Sequence, residues 1–147
     1  MYVEGDPMSD PHNLARFVSA QAPVWPRVVA ELEQGSKQSH WMWFVFPQIA
    51  GLGHSQAAQR YAIASLNEAR AFLAHPLLCL RLRRATELVL AVEGKSAHQI
   101  FGTPNDLKFR SSMTLFAATA PDEKLFQQAL DKYFAGEGDA LTRNKLS

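Results

Sequence analysis

Two stretches of this chain set groups able to bind ligands or move protons in an apolar context. The first is Ser39-His40-Trp41-Met42-Trp43-Phe44-Val45-Phe46-Pro47-Gln48. Its indoles, Trp41 and Trp43, offer flat faces on which a ring or nucleobase can stack. His40 is a donor or a general acid and base near neutral pH, and Gln48 can read polar edges. The same residues also suit plain core packing, with His40 hydrogen-bonded at the boundary. The second stretch is Lys108-Phe109-Arg110-Ser111-Ser112-Met113-Thr114. On a helix Lys108, Ser111, Ser112 and Leu115 share one face, since neighbours lie three and four apart, with Phe109, Met113 and Phe116 opposite. Lys108 and Arg110 with the hydroxyls of Ser111 and Ser112 can hold a phosphate or carboxylate. Small hydroxyl residues also allow helices to approach closely, so packing is the competing account. A ligand site requires the two stretches to meet around one hollow.

Other candidates are thinner. His54 lies in Gly51-Leu52-Gly53-His54-Ser55, a loop, and loops carry function disproportionately. Arg81 and Arg84 are three apart on one helix and could bind an anion, although a solvated face is the ordinary account of Arg81, Arg83, Arg84 and Glu87. His75 before Pro76 reads as a helix terminator. Cys79 sits between leucines and reads as a small buried hydrophobe rather than a thiol nucleophile. No glycine-rich phosphate loop, HExxH pair, GxSxG elbow or cysteine cluster is present, so no metal and no cofactor are expected.

The elements that must position these groups read as helices. Asp10-Pro11 resembles a helix start, followed by Leu14, Phe17 and Val18 at helical spacing. A second helix starts near Pro26, carries Val28, Val29 and Leu32 inward, and stops at Gly35. The apolar run 41–46 fits a buried strand or a buried helical segment equally, because periodicity cannot separate the two over so short a span. Gln56 to Ala64 reads as a short helix. Ser65 and Glu68 have capping-box spacing before Ala69, Phe72 and Leu73. Leu78, Leu82, Ala85, Val89 and Val92 mark the clearest amphipathic helix, closed by Gly94. Ser96 caps a turn through Ile100 and Phe101. Thr103-Pro104-Asn105-Asp106 opens the helix that bears Lys108, and Pro121-Asp122-Glu123 opens the last one, which ends at Gly136. The spacing thus predicts an all-α domain of about seven helices over 10–136, a flexible lead-in at 1–9 and a frayed tail at 137–147.

Bulk properties agree with a packed domain. The chain has 147 residues, 47% hydrophobic and 20% charged, ordinary globular values for one domain. Its net charge of +1 lacks the basic excess of a dedicated nucleic-acid binder, so that class is disfavoured. Residues 1–7, with no basic start and no apolar run, do not read as a signal peptide, and no apolar run of about 20 residues occurs, so no membrane partner is expected and the cytosol is the expected location.

The motifs His40 to Gln48, Gly51-Leu52-Gly53, His75-Pro76, Ile100-Phe101-Gly102 and Leu107-Lys108-Phe109-Arg110-Ser111-Ser112-Met113-Thr114-Leu115-Phe116 resemble the bacterial family called domain of unknown function 1810. The resemblance runs from about Asp10 to Phe134. It implies a multihelical fold and brings no catalytic roles. Some members carry the label calpastatin-like, which does not suit this chain, because calpain-inhibitor segments are disordered and this composition is that of a packed domain. The function expected from the residues is a pocket that binds, or also processes, a small anionic aromatic ligand such as a nucleotide or an ADP-ribose-like molecule. His40 is the candidate acid/base, and Trp41, Trp43, Gln48, His54, Lys108, Arg110, Ser111 and Ser112 are the candidate contacts. The alternative is a non-catalytic module that engages another protein through surface aromatics.

Overall fold

A computed structural model describes residues 10–146; the lead-in expected at 1–9 lies outside the described residues. Those residues form an all-helical chain of ten helices rather than about seven: α1 (Ala15–Gln21), α2 (Trp25–Glu33), α3 (Met42–Val45), α4 (Gln56–Arg60), α5 (Leu66–Ala74), α6 (Pro76–Ala91), α7 (Ala97–Phe101), α8 (Asn105–Thr119), α9 (Lys124–Phe134) and α10 (Ala140–Leu146). No strand occurs among the described residues. A parallel bridge joins Ile49 to Ile63, with Ala50 N–H donating to the Ile63 carbonyl and Ile63 N–H to that of Gln48.

The higher count has local causes. The ambiguous run 41–46 folds as one helical turn, α3, not as a strand. Residues 140–146, expected in a frayed tail, form α10 packed on α8. There Asp139 N–H donates to Thr114 Oγ1 at 2.8 Å, and both Thr142 N–H and Thr142 Oγ–H donate to Asp139 Oδ2. Asp10 does cap the first helix, but across a turn: its carboxylate accepts from Leu14 and Ala15 N–H, and Asn13 takes a left-handed φ of 50° between them. The reciprocal capping box forms at Ser96 and Gln99. At Ser65 only half of one forms, because the Glu68 carboxylate turns instead to Ala64 N–H and Arg16.

α8 is the axis of the molecule. Phe109 and every residue from Ser111 to Phe116 are buried, and α5, α7, α9 and α10 pack around it. The helices around it, rather than an apolar composition, put α8 inside, and its hydroxyls survive there by bonding the carbonyl four residues back: Ser111, Thr114 and Thr119 all do so. Phe109 stacks on Phe101 at 4.8 Å and meets Phe46 edge-on at 5.0 Å. Phe116 continues the aromatic core to Phe72 and Phe126. α6 packs on α2, α5 and α9, burying the expected stripe Leu78, Leu82, Ala85 and Val89, whereas Val92 is half-buried. Its C-terminal carbonyls are satisfied from α9, where Lys132 Nζ donates to Leu90 and Val92 and Tyr133 Oη donates to Val89.

Candidate functional site

The two chemistry-bearing stretches do meet. Phe46 touches Phe109 through their rings, and Lys108 Nζ lies 5.1 Å from the centre of the Trp43 ring. Most of the junction is packed solid, however. Trp41, Ser112 and Phe46 are fully buried and Ser111 nearly so. The Trp41 indole is not a ligand face: its Nε1–H donates to Glu31 Oε1 at 2.9 Å, and Lys37 Nζ stands 5.0 Å above the ring.

Glu31, a residue that no sequence motif marks, organises this region. Its carboxylate accepts from Gln38 N–H, Ser39 N–H, Ser39 Oγ–H and the Trp41 indole. Burial alone would raise its pKa, but these bonds outweigh burial and hold the group down at about 2. The loop between α2 and α3 is thus wrapped around one carboxylate. Lys37, from that loop, is depressed below the usual lysine range by burial, against the pull of Glu31 and with a push from Lys108; Lys108 is depressed by burial.

The remaining sequence candidates disperse. His40 is exposed and lines none of the three clefts described below. Gln48 is half-buried, with its carbonyl in the bridge to Ile63. His54 is exposed, and its carbonyl accepts from Gln59. Arg110 Nε donates to the Glu137 carbonyl, and its guanidinium lies over Phe134, so it ties down the turn after α9. Two polar atoms in the junction are buried without a partner, Trp43 Nε1 and Ser112 Oγ. Because the Ser112 hydroxyl bonds nothing, Ser112→Ala is expected to change stability by less than about 0.5 kcal/mol, whereas Thr114→Ala, which strands Asp139 N–H, should cost about 1–2 kcal/mol. Urea titration of the two variants checks the contrast, and a Ser112→Ala loss as large as that of Thr114→Ala would show that the hydroxyl is engaged.

Open space lies elsewhere. A cleft of about 450 Å³ runs between the start of α2 and one face of α6, lined by Trp25, Leu77, Leu80, Arg81, Arg83, Arg84 and Glu87. Trp25 is placed by the helix start at Val24-Trp25-Pro26, with proline in the first turn, where its missing N–H costs nothing. Helical spacing puts Leu77, Leu80, Arg81 and Arg84 on the α6 face turned toward it. The Arg81 guanidinium carbon lies 5.5 Å from the Trp25 ring centre. Gln21, itself buried and donating to the Phe44 carbonyl, accepts from Arg81 Nη1 and steadies it. Arg83 pairs with Glu123. Arg84 has no hydrogen bond or ion pair among the described residues, and Glu87 is the cleft's own acid. Leu80 is 65% exposed. An indole with an apolar floor and an excess of guanidinium charge can take a ring and an anion together. Of these residues the spacing pointed to Arg81 and Arg84 as an anion pair, but nothing local to Trp25 signals that it meets a helix more than fifty residues away.

Two other clefts, of about 420 and 400 Å³, are lined by Ile49, Ala64, Ser65 and Lys145 and by Asn13, Arg16, Arg60 and Tyr61, among others. In the last, Arg16 is already committed to backbone carbonyls and Glu68. No helix among the described residues is long and apolar enough to cross a membrane, and no group of three His, Cys, Asp or Glu among them could hold a metal ion.

Residues 11–146 match the family described as "Protein of unknown function (DUF1810)". No curated protein matches the sequence. Among solved structures the chain is similar to the conserved hypothetical protein Rv1873 from Mycobacterium tuberculosis, with 53% identity and a TM-score of 0.92 over 93% of this chain and 98% of that one.

Proposed function

The chain belongs to the DUF1810 family, whose description names no activity, and we propose that its function is to bind a small anionic ligand with a planar ring, of the nucleotide or ADP-ribose-like class, in the cleft between α2 and α6. One observation carries this reading: the Trp25 indole, braced by Arg81 and next to the unpaired Arg84, in a cleft of about 450 Å³. That volume lies in the range of roughly 300–1,000 Å³ typical of small-molecule sites. The ring would lie on Trp25, Leu77 and Leu80, and the anion would meet Arg81 and Arg84, whose forks suit phosphate or carboxylate oxygens. The lining holds one carboxylate, Glu87, and no histidine, cysteine or hydroxyl, so the reading is of binding without chemistry. The ligand class expected from the sequence is retained, while its place moves from the Trp43–Lys108 junction to Trp25.

Titration of tryptophan fluorescence with ADP and with ADP-ribose tests it. The wild type should show saturable quenching that disappears in Trp25→Phe, and Arg84→Ala and Arg81→Ala should each weaken binding about ten-fold or more, the worth of one charge-assisted contact. Absence of saturable quenching at millimolar ligand would remove the proposal. So would an affinity that survives the double arginine variant, or one that responds to Lys108→Ala instead. A protein partner on the same face is the second reading, favoured by the exposure of Leu80 beside Trp25. Concentration-dependent self-association abolished by Leu80→Lys would select it.

A further inference from the structure

The groups lining the α2–α6 cleft follow a fixed order along α6. Leu77 and Leu80 lie toward its start, Arg81 and Arg84 come next, and Glu87 comes last. The stretch from Leu77 to Glu87 extends over about 15 Å at the helical rise of about 1.5 Å per residue, which leaves room for a third group beyond a ring and an anion. Glu87, at the end of this row, is unengaged. The cation that helical spacing offers it, Arg83 four residues earlier, is paired with Glu123, and Glu123 is itself fixed as the cap of α9 by accepting from Leu125 N–H. Glu87 has no hydrogen bond or ion pair among the described residues, and neither has Arg84.

A ligand laid along α6 therefore meets apolar surface, then positive charge, then a free carboxylate. Phosphates continued past Arg84 would run into like charge. A neutral group rich in hydroxyls suits that end, because a carboxylate only accepts hydrogen bonds and its two oxygens can take two neighbouring hydroxyls at once. On the reading that this cleft binds a planar anion, we propose that its ligand is a nucleoside diphosphate joined to a sugar, and that Glu87 selects it by accepting from two adjacent hydroxyls of that terminal sugar. The base lies on Trp25, Leu77 and Leu80. The two phosphates meet Arg81, which Gln21 steadies beside Trp25, and Arg84, its neighbour on the helix face. The sugar beyond them reaches Glu87. A bare diphosphate leaves Glu87 unmet, and a third phosphate in the place of the sugar sets two negative charges together.

Titration of tryptophan fluorescence with ADP, ATP and ADP-ribose, without added magnesium, in the wild type, Glu87→Ala and Glu87→Gln tests the assignment. Glu87 is exposed and bonds nothing, so both variants should keep the wild-type melting temperature. In the wild type ADP-ribose should bind about ten-fold tighter than ADP, the worth of hydrogen bonds to a charged group, and ATP should bind more weakly than ADP. In Glu87→Ala the preference for ADP-ribose should vanish and ATP should gain, while ADP is little changed. Glu87→Gln, which keeps an acceptor oxygen without the charge, should retain part of the ADP-ribose preference and lose the discrimination against ATP. Equal affinities for ADP and ADP-ribose in the wild type, or a preference that survives Glu87→Ala, would overturn the role of Glu87 while leaving the cleft a nucleotide site. Absence of saturable quenching by all three ligands would remove the cleft reading itself, and the sugar assignment with it.

Discussion

Replacing Glu31 by alanine is expected to lower the free energy of unfolding by roughly 3–5 kcal/mol, close to the largest losses single substitutions produce. Glu31 is 7% exposed, and its carboxylate accepts from two backbone N–H groups, a serine hydroxyl and the fully buried Trp41 indole. Alanine would strand these donors, and each buried one left unmet costs about 1–3 kcal/mol, with water recovering part of the loss at the half-buried Ser39. Glu31→Gln should fall between, since an amide offers one acceptor oxygen and turns an NH₂ group toward donors. A pH signature accompanies the loss. The folded carboxyl titrates at about 2 against an ordinary 4.5, so its pKa is depressed. Its stabilising contribution is complete above pH 4.5 and is lost as pH falls from 4.5 toward 2, by about 3 kcal/mol in all. Urea titrations at pH 7, 4 and 3 check both points. The wild type should lose more stability across the acid window than Glu31→Gln does. Equal acid slopes in the two proteins, or an alanine variant within about 1 kcal/mol of wild type, would mean that the cradle does not hold the loop.

Glu31 also shows where the sequence stops being legible. Helices whose register is set by their own side chains are readable from spacing: α6 through Leu78, Leu82, Ala85 and Val89, and α7 through its Ser96 cap. Segments held by polar contacts across the chain are not. The run 41–46 is apolar throughout and carries no period; what fixes the place where its single helical turn starts is the Glu31 carboxylate, ten residues before the Trp41 whose indole it holds. α10 is mostly polar on the page, and it docks through Thr114, Asp139 and Thr142, a relay without periodicity. The candidate site divides along the same line. The Lys-Ser-Ser segment is visible as a pattern, but its hydroxyls serve a helix buried on nearly all sides, and whether a helix is central is decided by its neighbours. Arg81 and Arg84 are readable as a pair by their spacing of three. Their meeting with Trp25 is a consequence of α2 packing on α6, and no local window contains it.

Arg16→Ala is expected to be as damaging as loss of Glu31, about 3–5 kcal/mol, which for a chain of this size lowers the melting temperature by roughly 10 °C or more. Arg16 spends its whole guanidinium. Nε donates to the Arg60 carbonyl, Nη1 to the carbonyls of His12 and Asn13, and Nη2 to the Ala62 carbonyl and to Glu68 Oε2 at 2.7 Å. Its charge carbon also lies 4.3 Å from the Phe17 ring centre. One side chain therefore joins the turn before α1, the end of α4 and the first turn of α5. Glu68 is 4% exposed, and its second oxygen accepts from Ala64 N–H. Removing the arginine leaves this carboxylate buried without its counter-charge, a heavier penalty than the pair's net worth. Arg16→Lys should recover little, because a single ammonium cannot reproduce a fork that meets five acceptors. Glu68→Ala should cost less than Arg16→Ala, since the arginine keeps its four backbone carbonyls. A double-mutant cycle by urea titration isolates the pair: the double variant should lose clearly less than the sum of the two single losses, with a coupling of at least about 1 kcal/mol for groups in one network. Additive losses would show that the two residues act separately. A melting temperature within about 2 °C of wild type for Arg16→Lys would show that charge alone, rather than the planar fork, holds these helices together.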